Sequence, residues 1–332
     1  MQTTYLAPTG LSDRRFIVIV VAVVLLAVAP FVLGRYVLHS MIVAMIFMLP
    51  AIGLNLIVGF TGLLSLAQAA FFGIGAYASA LMAIHWGTPF YVNFPLAGIV
   101  AGVIAAPLAV PALRLRTTSF VMCTLGFVII SQAVSKNWVS VTRGDMGLSN
   151  VPNPEFFLGP LSFTVSTIVG QYYLLLIIAC AMVALMYGIV RSAAGRNMIA
   201  IRENETLAES MGVPTWRVKL SVFVLSAFFA GLGGSVYVHY LTIVSPLTFQ
   251  THYTTTILII VLGGGPGTIT GAILGSFLFV GLSEALRIAP EIRMILYGLC
   301  LLVLVFWFPK GFSSLIEWFW SKFTPAPKAG SE

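Results

Sequence analysis

Hydrogen-bonding side chains cluster inside one of the most apolar parts of the sequence, where two uncharged stretches meet. The residues concerned are Asn55, Thr61, Ser65 and Gln68, with the glycines Gly59 and Gly62 between them. Polar side chains are costly inside a membrane unless paired, so they commonly face a solute pathway or another helix, and glycine permits a broken backbone. One interpretation is a substrate pathway that bends and reseals here. The other is hydrogen bonding between helices, worth about 0.6 kcal/mol per pair; the pattern favours the pathway.

A second candidate for chemistry is the charged segment 191–219. It predicts a short amphipathic helix that begins near Arg196 and ends at Gly212. The apolar side of this helix is formed by Ala200, Leu207 and Met211. Glu205 and Glu209 lie one turn apart, and a like-charge pair of this kind costs an isolated helix a few tenths of a kcal/mol. A basic partner surface would relieve that repulsion, but a solvated connector helix explains the pattern equally well.

Residue patterns typical of catalysis are absent from the sequence. It contains no His-Glu-x-x-His, no Gly-x-Ser-x-Gly and no phosphate-binding Gly-x-x-x-x-Gly-Lys-Ser/Thr, so neither hydrolytic chemistry nor an ATP site is predicted for this chain. Four histidines lie near the ends of apolar stretches without ligand spacing and are expected at the membrane interface: His39, His85, His239 and His252. The cysteines have no paired spacing for a metal or a disulfide. We therefore expect no metal site and no catalytic residues.

The elements that must position these residues are membrane spans. Of 332 residues 59% are hydrophobic and 8% charged, whereas an ordinary soluble domain is about 25% charged. Several uncharged runs approach the roughly 20 residues that cross a hydrocarbon core. Ten spans are predicted, at residues 16–33, 38–57, 66–84, 95–112, 117–135, 172–190, 220–240, 252–263, 267–285 and 292–308. The eighth is too short to cross as a straight helix and predicts a broken helix or a half-span, which needs protein around its backbone.

The basic residues indicate how these spans are oriented. Most of the 17 Lys and Arg residues fall in loops on the side of the N-terminus, so the positive-inside rule predicts that both termini are cytoplasmic. For the same reason the net charge of +7 indicates membrane topology, and no nucleic-acid partner is expected. Residues 1–332 are then one transmembrane domain with an external loop at 136–171 and a cytoplasmic loop at 191–219.

Glycines recur at two kinds of position. The turns 57–62 and 261–267 both join two spans on the inner side and form a faint internal echo, of a kind common in transporters. A second group lies inside the seventh span and predicts close helix contacts, because small residues allow backbones to approach. Its members are Gly231, Gly233 and Gly234.

A series of short motifs, in order and spacing from about residue 40 to 315, resembles the permeases of branched-chain amino acid ABC transporters. The motifs are residues 53–77, Thr124 to Phe127, Asn137-Trp138, Gly144 to Leu148, Val151-Pro152, Ser245-Pro246, residues 261–271, Leu296 to Gly298 and Phe308 to Gly311. They are more similar to the LivM type than to its LivH partner. Arg143 stands where that family usually carries Gly, and Thr206 stands where many of its members carry Glu.

The resemblance implies an all-α polytopic protein with about ten transmembrane helices, the type II ABC-importer permease fold, in a bacterial inner membrane. It implies a second, LivH-like permease subunit, two ATP-binding subunits that hold ATP and Mg²⁺, and a periplasmic substrate-binding protein. The segment 191–219 resembles the coupling loop that docks on the ATP-binding subunit, with Ala208 and Gly212 matching its Ala-x-x-x-Gly core. The coupling residues implied are Arg202, Glu203, Glu205, Ala208, Glu209 and Gly212.

Three functions are compared for such a chain. The first is an importer permease for branched-chain or related amino acids, and the second is a permease of the same family for urea or short-chain amides. The third, an ion-coupled secondary transporter, is less favoured because such proteins often carry titratable residues deep in their spans, and this sequence has almost none there. The predicted pathway is lined by apolar side chains with a few hydroxyl and amide groups. Such a lining suits amino acids as well as urea or short amides, so selectivity is expected mainly in the binding protein.

Overall fold

Apolar helices make up most of the chain in a computed structural model that describes residues 24–158, 161–285, Gly298 and Gly311. In chain order the helices are α1 (24–32), α2 (Arg35–Leu54), α3 (Gln68–Trp86), α4 (Phe90–Ala112), α5 (Thr117–Asn137), α6 (Val139–Thr142), α7 (Ile168–Arg191), α8 (Ala193–Glu203), α9 (Glu205–Ser210), α10 (Thr215–Leu241), α11 (Thr251–Gly264) and α12 (Ile269–Ala285). A π-helical segment, Asn55–Phe60, extends α2. Six of the described helices are long and apolar enough to cross a membrane.

The predicted helical membrane class is confirmed. The eight predicted spans from 38–57 to 267–285 each coincide with a described helix, and the first span is described from residue 24 onward. The tenth, 292–308, lies outside the described residues. The total of ten helices therefore stays a prediction.

Helix α10 lies at the centre of the described bundle, in contact with α2, α3 and α4. Its glycines make this packing possible. A β-carbon at Gly234 would overlap the carbonyl oxygen of Phe72, and one at Gly75 would overlap the backbone of Gly231. Because small residues let helix backbones approach directly, α3 and α10 touch along this line. The prediction that the glycines of this span make helix contacts is confirmed.

The loops collect at two ends of the bundle. The end that we call the basic end carries the loops 61–67, 113–116, 192–214 and 265–268, and the opposite end carries 87–89, 138–167 and 242–250. The basic end bears Arg114, Arg116, Arg191, Arg196, Arg202, Arg217 and Lys219. Loops predicted to share the inner side of the membrane therefore do share one end of the bundle.

Short strands at the opposite end add to the expected all-α architecture. Strand β1 (Leu148–Ser149) pairs antiparallel with β4 (Ile243–Val244), and β2 (Glu155–Leu158) pairs antiparallel with β3 (Leu161–Thr164). Backbone groups in a long loop must find partners, and these ladders provide them. Pairing of β1 with β4 ties the predicted external loop to the segment that follows α10.

Two residues at the opposite end differ from what the sequence suggested. His239 is 2% exposed and not interfacial. Its Nδ1 lies 2.8 Å from the Pro152 carbonyl oxygen and its Nε2 3.0 Å from Ser79 Oγ; since a carbonyl only accepts, Nδ1 donates and Nε2 accepts. Arg143 has φ 59°, the left-handed region that favours glycine. This backbone angle accounts for the Gly that the family usually carries there.

Helix α11 is a half-span. Its 14 residues extend about 21 Å, against about 30 Å for a hydrocarbon core. The chain leaves the opposite end through the segment 242–250, which contains β4 and a short 3₁₀ helix, Pro246–Phe249; the Phe249 ring stacks on Tyr77 of α3. The short eighth span predicted from the sequence is thus this irregular segment followed by the 14-residue α11.

Candidate functional site

Two glycine turns meet at the basic end, and Asn55 joins them. The Asn55 side chain is fully buried. Its Oδ1 accepts a hydrogen bond of 2.8 Å from the backbone N–H of Gly267, and its Nδ2 donates one of 2.8 Å to the carbonyl oxygen of Thr268. One amide therefore pairs both a donor and an acceptor of the turn between α11 and α12. The turns 57–62 and 261–267, predicted as an internal echo, are neighbours in space.

Gly59 allows this approach. A β-carbon there would overlap Asn55 Oδ1 and the backbone nitrogen of Gly267. Any larger residue would separate the two turns or displace the Asn55 amide. Gly59 is therefore required by contact between the turns, a different reason from the bending pathway that the sequence suggested.

Thr61 and Ser65 serve the backbone around them. Thr61 Oγ1 donates to the carbonyl oxygen of Leu56 at 2.9 Å, which pairs one carbonyl of the π-helical segment. Ser65 Oγ accepts from the backbone N–H of Ala67 at 3.4 Å. Both side chains are buried. Each thus pairs with the backbone of its own segment, and neither bond joins two different helices.

Two threonines that the sequence analysis did not assign to the site complete the pairing of the segment 61–67. Thr124 Oγ1 accepts from the backbone N–H of Leu66 at 3.1 Å. Thr254 Oγ1 donates to the Leu66 carbonyl at 3.1 Å and accepts from the N–H of Ala69 at 3.0 Å. Non-helical backbone at membrane depth is tolerated only where protein or water covers it, and these hydroxyls cover it. Thr124 lies in the motif Thr124 to Phe127, and this motif is the one signal in the sequence for its role.

Gln68 differs from the other polar residues because half of its amide is unused. Its Nε2 donates to Ser226 Oγ at 2.6 Å, while its Oε1 is buried without a hydrogen-bond partner among the described residues. The residue is 1% exposed. Leaving a buried acceptor unpaired costs about 1–3 kcal/mol. Among the predicted pathway residues, Gln68 is thus the one with a free polar group to offer a solute.

The charged segment forms two helices where one was predicted. Asn204 ends α8 and caps α9, with its Oδ1 accepting from the N–H of Leu207 at 3.0 Å. Asparagine is among the best N-cap residues, and this preference overrides the continuous amphipathic pattern. The predicted apolar side is also not buried, since Leu207 is 59% and Met211 78% exposed. Ala208, by contrast, is buried against the protein.

Glu205 finds its counter-charge inside the chain. It forms an ion pair with Lys219 of α10, whose side chain is largely buried. Of the two interpretations left open by the sequence, neither included this internal partner: Lys219 offsets the charge of Glu205 within the chain. Glu203 and Glu209 are exposed. Gly212 has φ 86° and follows the end of α9, as its predicted role of helix stop requires.

Arg202, predicted as a coupling residue, reaches inward to the glycine turns. Its Nη1 donates to the carbonyl oxygen of Gly59 at 2.5 Å. Helix α8 thereby touches the end of α2. The structure brings together a predicted coupling residue and a predicted pathway residue.

A cleft of ≈ 320 Å³ opens at the same end. It is lined by Leu63, Leu113, Arg114, Leu115, Arg116, Thr117, Phe120, Glu205 and Lys219. Its walls come from the segment 61–67, the loop after α4, the first turn of α5, and the ion-paired residues of α9 and α10. Within the described ranges no cluster of three or more His, Cys, Asp or Glu side chains could hold a metal ion.

Known proteins with similar sequences are transport permeases. Residues 36–305 match the family described as branched-chain amino acid transport system, permease component. The high-affinity branched-chain amino acid transport system permease protein LivM of Escherichia coli (strain K12) is 33% identical over 311 residues, 88% of this chain and 73% of that protein. LivH of Salmonella typhimurium is 28% identical over 254 residues, 72% of this chain and 80% of that protein.

A more distant relative carries a different name. The autoinducer 2 import system permease protein LsrC of Yersinia pseudotuberculosis is 29% identical over 244 residues, 70% of this chain and 62% of that protein. No solved structure matches the chain significantly. The family match, the LivM identity and the apolar helices agree. The chain is a multi-pass membrane protein and belongs to the family of branched-chain amino acid transport system permease components.

Proposed function

We propose that this chain is the membrane-spanning permease subunit of an ATP-driven importer, and that α8 and α9 receive the movement of an ATP-binding subunit. The observation that carries the proposal is the exposed surface of α9 and its end, with Leu207, Glu209 and Met211 at the basic end. Large apolar side chains exposed outside the membrane mark interaction sites. They adjoin the turns that close the bundle at that end.

The assembly proposed has four kinds of chain. A second permease subunit, LivH-like, would pair with this one, and two ATP-binding subunits would bind ATP and Mg²⁺. A periplasmic binding protein would deliver the solute to the opposite end. Similarity of this chain to both LivM and LivH proteins supports a paired permease. Hydrolysis would take place in the partner, because this sequence contains no phosphate-binding loop.

The proposed substrates are branched-chain amino acids. The names of the LivM and LivH relatives support this class, and the buried, unpaired Oε1 of Gln68 could accept a hydrogen bond from a substrate ammonium group. Urea and short-chain amides remain the alternative, because their N–H groups would suit the same acceptor. The pathway proposed passes the residues Asn55, Gly59, Thr61, Gly62, Ser65 and Gln68.

The proposed setting is a bacterial inner membrane with both termini in the cytoplasm. The concentration of Lys and Arg at the basic end supports a cytoplasmic location for that end under the positive-inside rule. The opposite end, with its paired strands, would then face the periplasm. Tagging each terminus with a reporter active only in the cytoplasm tests this orientation.

Gentle affinity purification from native membranes, followed by mass spectrometry, tests the assembly. We expect an ATP-binding subunit and a second permease to accompany the chain. The purified complex, placed in proteoliposomes with its binding protein, should then accumulate labelled leucine only when ATP is supplied. Accumulation of labelled urea instead would establish the alternative substrate. Recovery of a stable, folded chain alone, with uptake driven by an ion gradient, would contradict the importer proposal and favour a secondary transporter.

A further inference from the structure

The carbonyl groups at the end of α2 have unequal partners. Those of Leu56 and Ile57 are paired locally, by Thr61 Oγ1 at 2.9 Å and by the N–H of Leu63 at 3.1 Å. The Gly59 carbonyl is paired from far along the chain, by Arg202 Nη1. Carbonyls at a helix end have no partner within the helix, and a cation is favourable there. The end of α2 therefore depends on the charged segment for one of its bonds.

Arg202 also lies against the second glycine turn. A β-carbon placed on Gly267 would come within 2.7 Å of Arg202 Nη1, and one placed on Gly62 would come within 3.3 Å of Arg202 Cγ. The guanidinium thus lies beside the contact between Gly59 and Gly267, while the aliphatic stem passes close to Gly62. A single side chain of α8 spans both turns that Asn55 joins.

A second anchor ties the neighbouring helix to the bundle. Glu205 at the start of α9 pairs with Lys219 in the first turns of α10. The α8–α9 pair therefore holds the bundle through two charged contacts on either side of the break at Asn204. A displacement of the pair strains these two contacts together with the packing of the buried side chains Met198, Ile201 and Ala208.

We propose that Arg202 is a positioning residue, a latch that holds the glycine turns 57–62 and 261–267 together and transmits movement of α8–α9 to them. The proposal rests on the importer function proposed above. When an ATP-binding subunit shifts α8–α9, Arg202 leaves the Gly59 carbonyl and the two turns are free to part. Substrate passage then depends on this contact, whereas nucleotide hydrolysis in the partner does not.

Paired measurements of uptake and hydrolysis test the latch. The complete importer complex is reconstituted with Arg202→Gln, with Arg202→Lys, and with Arg196→Gln as a matched control on the same helix. Arg196 is exposed and touches only the Arg191 carbonyl, at 3.4 Å, among its described hydrogen bonds. For Arg202→Gln we expect labelled leucine uptake per ATP hydrolysed to fall about tenfold or more, since a charge-assisted hydrogen bond is lost. Arg202→Lys, which keeps the charge, should recover part of the loss.

The ratio of uptake to hydrolysis separates a latch from a purely structural role. Arg196→Gln should leave the ratio near that of the unaltered complex. An equal fall in uptake and hydrolysis for Arg202→Gln would overturn the proposal, because it would indicate general damage or loss of the ATP-binding subunit. Uptake and hydrolysis that are both unchanged in Arg202→Gln would overturn it as well.

A chemical-labelling experiment tests the latch independently of transport. Ser65 is buried next to the held turn, and Ser65→Cys is close to isosteric. In a complex whose native cysteines are replaced by serine, the rate of reaction with a polar maleimide reports opening of the segment 61–67. Adding Arg202→Gln should raise that rate about tenfold over Arg196→Gln; equal rates overturn the latch. If the unaltered complex takes up no leucine, the substrate proposal fails while this labelling result still decides the latch.

Discussion

The centre of the bundle and its basic end are held together in different ways. At the centre, α3 and α10 touch backbone to backbone through Gly75, Gly231 and Gly234. At the basic end, the glycine turns 57–62 and 261–267 are held by single side chains, Asn55 and Arg202. A close-packed core is bistable or rigid and does not deform gradually, whereas a few hydrogen bonds can be exchanged at small cost. The comparison locates the rigid body at the centre and the movable part at the basic end.

The largest effect is expected at the centre. Gly234→Ala places a methyl group on the carbonyl oxygen of Phe72, and overpacking of this kind costs about 1–3 kcal/mol or more. We expect a lower melting temperature in detergent and loss of the monodisperse complex on size exclusion. Gly126→Ala is the matched control, because a β-carbon there meets nothing within 4 Å. Equal melting temperatures for the two variants would show that α3 and α10 are not in direct backbone contact at Gly234.

A comparable loss of transport, without loss of folding, is expected at the exposed surface of α9. Glu209→Lys changes an exposed charge and should reduce uptake at least about tenfold while the chain stays in the membrane with an unchanged melting temperature. Glu205→Lys should reduce uptake similarly but, unlike Glu209→Lys, should lower the melting temperature, because it places a second cation beside Lys219 and leaves a largely buried charge without its partner. Normal uptake by both variants would show that α9 is not part of the surface that contacts the ATP-binding subunit.

The substitution Gln68→Leu tests the buried polar site that lies between the rigid centre and the basic end. It removes the bond to Ser226, worth about 1 kcal/mol, together with the unpaired Oε1. We expect leucine uptake to fall severalfold, with the apparent affinity for substrate changed and the subunits still assembled. Loss of assembly would instead place Gln68 with the packing residues of the centre. Ser226→Ala controls for the packing bond alone.

The smallest effect is expected at the opposite end. Arg143→Gly replaces a side chain held at φ 59° by the residue that this backbone region favours. The substitution relieves at most about 1 kcal/mol of backbone strain in the folded state. The greater conformational entropy of glycine in the unfolded chain offsets part of this gain in stability. The melting temperature should rise by a few degrees at most while uptake is unchanged. A clear fall would mean that the Arg143 side chain makes a stabilising contact.

Local sequence patterns predicted the parts of this fold that depend on local physics. Long apolar runs predicted the spans, and the glycines of α10 predicted close helix contacts, since both follow from composition and spacing. The break at Asn204 also had a local signal, because asparagine favours the N-cap, but the continuous amphipathic pattern obscured it.

Long-range pairings could not be predicted in the same way. The partners of Asn55 lie more than 200 residues further on, and Arg202 reaches the Gly59 carbonyl across 143 positions. No periodicity encodes such contacts. The sequence therefore identified Asn55, Gly59 and Arg202 as residues of interest but assigned them to a pathway lining or a partner surface. The structure adds their partners within the chain, which the sequence did not indicate.

The half-length of α11 has a consequence for how the protein is made. The segment 242–250 before it is not an α-helix, so protein must cover those of its backbone groups that it does not pair itself. Phe249 of this segment stacks on Tyr77 of α3, and Thr254 of α11 binds Leu66 and Ala69; these partners all precede them in the chain. They are already synthesised when this segment leaves the ribosome. The surface that receives residues 242–264 is thus built from parts of the chain that are synthesised earlier.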